Sequence, residues 1–229
     1  MNVGSVARLC TNFGVNQLRL VAPRFDPDDP QAMRMAVKGA EMLKNAPKFS
    51  CLKDAVADCQ RIVATCGRKE HGEIPLHPAE QALPWLITNS ETEPVALVFG
   101  REDHGLTNDE LLVAQKVLTI ETDPLYPSLN LSHAVAVVLH ELHRHQINNP
   151  SLSIKTNKPN PASSKQLEEF LVDAKALLLE VGFLMEHTTQ ARMAKVRGLL
   201  QRAAIQTQEL ALIRGMLRQI RWAINSRNS

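Results

Sequence analysis

The chemistry-bearing residues of this chain gather at the ends of a few short apolar runs. The richest stretch is I-E-T-D-P-L-Y-P-S-L-N-L-S-H (Ile120 to His133), where Pro124 and Pro127 fix φ in a loop that opens a long apolar helix. Ser128, Asn130 and Ser132 bring small polar groups to that helix start, where free backbone N–H donors suit an anion or the polar edge of a ligand. Taken alone, the same loop is also an ordinary strand-to-helix connection in which Ser128 or Asn130 merely caps the helix. A second polar loop, G-R-E-D-H-G (Gly100 to Gly105), and a third, C-G-R-K (Cys66 to Lys69), each follow an apolar run. H-E-L-H-R-H (His140 to His145) lacks the H-E-x-x-H spacing of a zinc site and reads as solvent-facing histidines near a helix C-terminus. The ten glycines form neither G-x-G-x-x-G nor G-x-x-x-x-G-K-[ST], which disfavours a dinucleotide dehydrogenase or a P-loop enzyme.

The elements that must hold these loops alternate between strand and helix. R-I-V-A-T (Arg61 to Thr65) and P-V-A-L-V-F (Pro94 to Phe99) read as buried strands, and Val117, Leu118 and Ile120 end a third. Thr107 with Glu110 three residues on forms a capping box, so a helix begins after Thr107. Upstream, Val3, Val6, Ala7, Cys10 and Phe13 recur at helical spacing before Gly14, and L-R-L-V (Leu18 to Val21) reads as a strand. Further helices are expected over Gln31 to Leu43, Leu52 to Cys59 and residues 79 to 89, the last interrupted by Pro84. This alternation predicts an α/β fold with a parallel sheet, whose ligands bind beyond the carboxyl ends of its strands. The loops 66–69, 100–105 and 121–130 all leave such ends, so one pocket lined by all three is predicted.

Residues 148–165 are rich in Asn, Pro and Ser and read as a linker. Beyond them, Phe170 to Met185 and Met193 to Ala203 mark two amphipathic helices. Leu210, Ile213, Leu217, Ile220 and Ile224 form the seam of a third. The module packs either on itself or against a partner. From His187 to Ser229 there are eight Lys or Arg against Glu209 alone, a surplus of seven on a chain whose net charge is +2. Such a basic tail on an acidic body suits a polyanion, and equally a solvated helical face.

At 229 residues and 44% hydrophobic, the chain can bury a sizeable core. The apolar run Ala134 to Leu139 is far too short to cross a bilayer, and the N-terminus lacks a basic region followed by an apolar block. Four cysteines (Cys10, Cys51, Cys59, Cys66) without C-x-x-C spacing predict buried thiols in a reducing cytoplasm rather than a disulfide or zinc site, and neither a metal nor a membrane is expected as a partner.

N-V-G-S-V-A-R (Asn2 to Arg8), L-V-F-G-R-E-D-H-G-L (Leu97 to Leu106) and Y-P-S-L-N-L-S-H-A-V (Tyr126 to Val135) resemble the three ordered motifs of the SpoU/TrmH branch of the SPOUT methyltransferases. A-T-C-G-R (Ala64 to Arg68) fits the segment between the first two, and the tail resembles the helical extension of the TrmJ tRNA 2′-O-ribose methyltransferases. The resemblance implies a SPOUT domain over residues 1–147 with a C-terminal deep trefoil knot, a linker over 148–165 and a helical extension over 166–229. It implies S-adenosylmethionine as cofactor, tRNA as partner with nucleotide 32 of the anticodon loop as target, and a homodimer in which the first-motif arginine faces the partner's cofactor. Carried over, Arg8, Asn2, Glu102, Ser128 and Asn130 are the catalytic set, and Thr65, Gly100, Ile120, Leu129 and Asn130 enclose the cofactor. Arg8, Arg214, Arg218 and Arg221 are expected on RNA. An arginine is a poor proton acceptor, so Arg8 is expected to clamp a phosphate and the developing alkoxide. Glu102 would orient Arg8 or hold a backbone group of the first motif, while Asp103 and His104 fall at positions without an assigned role. The family pattern has a strand before the first-motif asparagine. Here only Met1 precedes Asn2, so a sheet lacking its first strand is expected, with a misplaced start or a truncated form as the cause. An RNA-binding protein without catalysis and a ribosomal RNA methyltransferase are the alternative functions.

Overall fold

The computed structural model describes residues 2–24, 29–68, 74–88, 93–123, 125–148 and 160–227. Six strands occur among them: β1 (Leu20–Val21), β2 (Lys48–Phe49), β3 (Arg61–Thr65), β4 (Leu76–His77), β5 (Val95–Val98) and β6 (Lys116–Leu118). They form a four-stranded parallel sheet in the order β4-β6-β3-β5 and a separate parallel pair, β1-β2. β3 is central because its β-branched and small residues can be covered on both faces. Ile62 and Ala64 pack with Val56, Val98, Leu111 and Val117, whereas Val63 packs with Leu83, Leu86, Leu118 and Val138. Buried Gln115 fixes the start of β3: its Oε1 accepts from Ile62 N at 2.8 Å and its Nε2 donates to Gln60 O at 2.9 Å.

The helices of this part are α1 (Asn2–Asn12), α2 (Pro30–Ala36), α3 (Ala40–Lys44), α4 (Leu52–Ala55), α5 (Ala79–Ile87), α6 (Asn108–Leu111) and α7 (Leu131–Asn148). The expected capping box of Thr107 and Glu110 is present at α6, and Gly14 ends the α1 region at φ +68°. The helix expected over Gln31 to Leu43 is instead broken by a 3-10 turn, Val37–Gly39, with Val37 at φ 50°. The break lies where the chain wraps α1. A Cβ on Gly39 would come within 2.5 Å of the Ala7 carbonyl, and one on Gly4 within 2.1 Å of Ala32 O. The helix expected to reach Cys59 stops at Ala55, and the first strand is only two residues long. Pro84 sits inside α5 without ending it.

α8 (Ser164–Glu180), α9 (Glu186–Ala203) and α10 (Thr207–Arg227) form the helical module around Phe170, Leu171, Ala174, Ile205 and Leu210. Met185, expected to close the first of these helices, is instead the N-cap residue of α9, because Gly182 turns the chain at φ +74°. The module packs on itself and also docks on the N-terminal half of the chain. Ser164 N and Lys165 N donate to Cys59 O and Ala57 O, at 3.0 and 3.1 Å, and Gln201 Nε2 donates to Val113 O at 2.7 Å. Glu168 receives both Lys53 and Arg197. All these attachments lie at the end of the sheet where β3 and β6 begin. Most of the linker, residues 149–159, is outside the described residues.

No helix among the described residues is long and apolar enough to cross a membrane. All four cysteines are free thiols, and burial pushes Cys10 up to about 11 and Cys59 up to about 12.

Candidate active site

The carboxyl ends of β3, β5 and β6 open onto a cleft of about 570 Å³, within the range of small-molecule sites. The three predicted loops line it together: Thr65 to Arg68, Gly100 to Gly105, and Ile120 with Pro127 to Leu129. Leu118, Leu131 and Ala134 add an apolar floor.

Each loop is held by its neighbours. Cys66 N donates to Leu118 O at 2.9 Å, tying the first loop to the third, and Arg68 Nη2 donates to Leu106 O at 2.6 Å, tying it to the second. The second loop folds back on itself, with Gly105 N donating to Arg101 O at 2.9 Å. That turn needs glycine at both ends. A Cβ on Gly100 would lie 2.3 Å from the Gly105 carbonyl carbon, and Gly105 sits at φ +69°. Arg101 pairs with Glu110 at 3.2 Å, so the arginine of this loop is already matched, and His104 Nε2 lies 2.9 Å from an Asp103 oxygen.

Beside the cleft the three motif stretches close a ring of side chains. Asn2 Nδ2 donates to one oxygen of Glu102, and Asn130 Nδ2 donates to the other at 2.8 Å and to Asn2 Oδ1 at 3.3 Å. Asn130 Oδ1 meanwhile accepts from Ser132 N at 2.9 Å and Ser132 Oγ at 2.7 Å, which caps α7. Both readings of the third loop therefore hold at once: Asn130 is a helix cap and a link between motifs.

The expected site residues divide accordingly. Thr65, Gly100, Glu102, Ile120, Ser128 and Leu129 line the cleft, whereas Asn2, Arg8 and Asn130 do not. Thr65 Oγ1 is committed to Val98 O at 3.1 Å, so Thr65 presents its backbone and methyl rather than a free hydroxyl. Asn130, expected against the cofactor, has its amide occupied by the ring. Glu102, expected to orient Arg8 or a backbone group, instead holds two side-chain amides. Arg8 is exposed on α1, and no described residue bonds to its side chain. On the extension, Arg214 pairs with Glu169 and Asp173 at 3.5 and 3.4 Å and Arg221 with Glu180 at 3.7 Å, while exposed Arg218 pairs with no described carboxylate. These three arginines therefore do not form one free cationic row. Sequence reasoning gave Arg68 no role, though it lies in both the C-G-R-K turn and the A-T-C-G-R segment, and missed the close approach through Gly4 that fixes the helix carrying Arg8. No group of three or more potential metal ligands occurs among the described residues. The histidines of α7 instead stand with Phe13 edge-on to His140 and His143, at 6.3 and 5.8 Å.

Residues 1–140 match the SpoU rRNA Methylase family, and residues 165–229 match the tRNA methyltransferase TrmJ, C-terminal domain. The tRNA (cytidine/uridine-2'-O-)-methyltransferase TrmJ of Citrobacter koseri is 37% identical over 223 residues, which span 96% of this chain and 90% of the relative. The protein of the same description from Cronobacter sakazakii is 35% identical, spanning 99% and 93% of the two chains. Among solved structures, TrmJ from Z. mobilis ZM4 aligns with a TM-score of 0.80 at 29% identity, covering 96% of this chain and 93% of that one. A probable methylase family protein from Haemophilus influenzae Rd KW20 aligns at 0.60 and 30% identity, covering 99% and 93%. The chain therefore belongs to the SpoU methylase family, and its C-terminal module is that of the TrmJ branch.

Proposed function

We propose that this chain is a tRNA ribose 2′-O-methyltransferase that takes S-adenosylmethionine as methyl donor and acts at nucleotide 32 of the anticodon loop. The observation that carries the proposal is the Asn2–Glu102–Asn130 ring, which joins the three motif stretches beside a cleft built from the expected loops. The relatives whose description names tRNA (cytidine/uridine-2'-O-) methylation align along nearly the whole chain, extension included.

The cleft fits the cofactor. Its volume suits a nucleoside with a short polar chain, and Ile120, Leu129 and Leu131 offer apolar surface to a flat ring. Gly100 lines the cleft where the second loop turns back so tightly on Gly105 that a side chain there would collide with the loop's own backbone. Thr65, Gly100, Ile120 and Leu129 would hold the group, and when bound it supplies an electrophilic methyl on a sulfonium.

The protein's own part is then alignment and charge. Ser128, exposed at the cleft, is placed to bond the ribose or the loop around it. Arg8 has no carboxylate among the described residues to hold it back, which leaves all its N–H donors for a phosphate and for the developing alkoxide. Because Arg8 lies off the cleft lining of its own chain, the proposal includes a homodimer in which Arg8 of one copy completes the cleft of the other. It also includes the knotted threading that the resemblance implies for the third motif, whose Pro127 shares the cleft with Gly67. Free, mostly buried cysteines suit a reducing cytoplasm.

The test is transfer of labelled methyl from S-adenosylmethionine to tRNA and to ribosomal RNA, with nucleotide mapping of the product. Methylation of tRNA at nucleotide 32, lost in Arg8→Ala, is the expected result. Methylation of ribosomal RNA alone would move the substrate class. Binding of tRNA with no transfer and no calorimetric signal for the cofactor would leave an RNA-binding protein only.

A further inference from the structure

The exposed aromatic residues of the extension gather at one tip of it. α8 and α10 run parallel, since Arg214 meets Glu169 and Asp173 while Arg221, seven residues on, meets Glu180. The end of α8, the α8–α9 turn and the second half of α10 therefore share one end of the bundle. Phe183 stands there 57% exposed, and Trp222 stands 63% exposed one helical turn beyond Arg218. The Arg192 guanidinium lies 5.4 Å from the Phe183 ring centroid, over its face. The module's own core does not use these rings: α10 contributes Leu210, Ile213 and Leu217 to it, all upstream of Trp222.

Charge separates this tip from an ordinary apolar patch. The acids of α8 already take up Arg197, Arg214 and Arg221, whereas Arg192, which donates to the Phe183 carbonyl oxygen, and Arg218 pair with no described carboxylate. A partner protein without carboxylates placed for both would bury two cations that have no counter-charge, at high cost. A nucleic acid matches both features at once, because unpaired bases stack on aromatic and guanidinium faces while phosphates neutralise the cations.

We propose that the tip formed by Phe183, Arg192, Arg218 and Trp222 is a stacking platform for unpaired RNA bases, a second contact remote from the cleft. The inference rests on RNA being the substrate, as proposed above. Trp222 and the Phe183 face opposite Arg192 take bases, and Arg218 and Arg192 take the flanking phosphates.

The experiment uses the full chain and unmodified tRNA, with binding followed by filter retention and by tryptophan emission. Trp222→Ala and Phe183→Ala are each expected to weaken binding by about tenfold, and Trp222→Phe, which keeps a stacking ring, by no more than about threefold. Quenching of emission by tRNA should largely disappear in Trp222→Phe. Trp222→Ala should leave the salt dependence of affinity unchanged, whereas Arg218→Ala should lower its slope by about one. Wild-type affinity and quenching in the alanine variants would overturn the platform while leaving the methyltransferase assignment standing. So would variants that bind tRNA normally but sediment differently, because the tip would then be a contact between copies. A wild-type chain that binds no tRNA would bring down the substrate assignment and the platform together.

Discussion

Replacing Glu102 by alanine removes the hub of the ring that joins the three motif stretches. Its carboxylate accepts from Asn2 Nδ2 and from Asn130 Nδ2, the latter at 2.8 Å. A hydrogen bond to a charged group contributes about 1.5–3 kcal/mol when buried, and less where water can replace it. Both bonds here are exposed, so about 1 kcal/mol each is the expected loss, or about 2 kcal/mol in total. For a chain of this length that corresponds to a fall in Tm of about 4–8 °C. Glu102→Gln should fall about half as far. Its new NH2 group must face one of the two amides, and Asn130 cannot rotate to accommodate it without releasing Ser132 N and Ser132 Oγ. Asn2 can rotate, at the expense of its 3.3 Å bond from Asn130. Thermal unfolding of the single variants and of Glu102→Ala/Asn130→Ala forms a double-mutant cycle, in which a coupling near 1 kcal/mol is expected. Wild-type Tm in Glu102→Ala, or zero coupling in the cycle, would refute the ring as a stabilising device.

Gly100→Ala drives a β-carbon to 2.3 Å from the Gly105 carbonyl carbon, and since backbone stands on both sides the loop must open. A loss of at least about 2 kcal/mol in chemical unfolding is expected, with cofactor binding abolished in calorimetry. Glu168 supplies a pH signature. Burial alone would raise its carboxyl, but hydrogen bonding and charge from Arg197, and then from Lys53, outweigh burial and hold it below the ordinary value of 4.5. The stability it contributes is therefore present above about pH 4.5 and lost as pH falls through the depressed folded value. Urea unfolding at descending pH should show the gap between wild type and Glu168→Gln closing below that point; a constant gap would mean that Glu168 does not titrate differently on folding.

The parts of the fold that were legible in the chain are those whose signal is local. The run R-I-V-A-T gave β3 over the same residues that the structure shows, and the spacing of Thr107 and Glu110 gave the start of α6. The broken helix at Val37 was hidden because its cause is the contact of Gly39 with Ala7, which no periodicity announces. Two-residue strands such as Leu76–His77 exist through pairing with β6 and carry no pattern of their own. At the site, the order of strand and loop correctly predicted one cleft lined by three loops. The partners of Glu102 were not legible, because residue type shows what a carboxylate can bind but not which amides, 100 and 28 positions away, will reach it first. The charge surplus of the tail was read correctly as a total. Its distribution was not, since Glu169, Asp173 and Glu180 neutralise two of the three named arginines only once α8 lies alongside α10.

The docking of the helical module bears on selectivity through distance. Ser164, Lys165 and Gln201 fasten it where β3 and β6 begin, whereas the cleft opens where they end. A strand of five residues spans about 16 Å, so a molecule touching both must reach at least that far along the protein. Fastened at several points, the module would serve the proposed platform as a fixed gauge. A short fragment that fills the cleft would then gain nothing from it, while a long, shaped polymer would be favoured only when its reactive position lies the right distance from its second foothold.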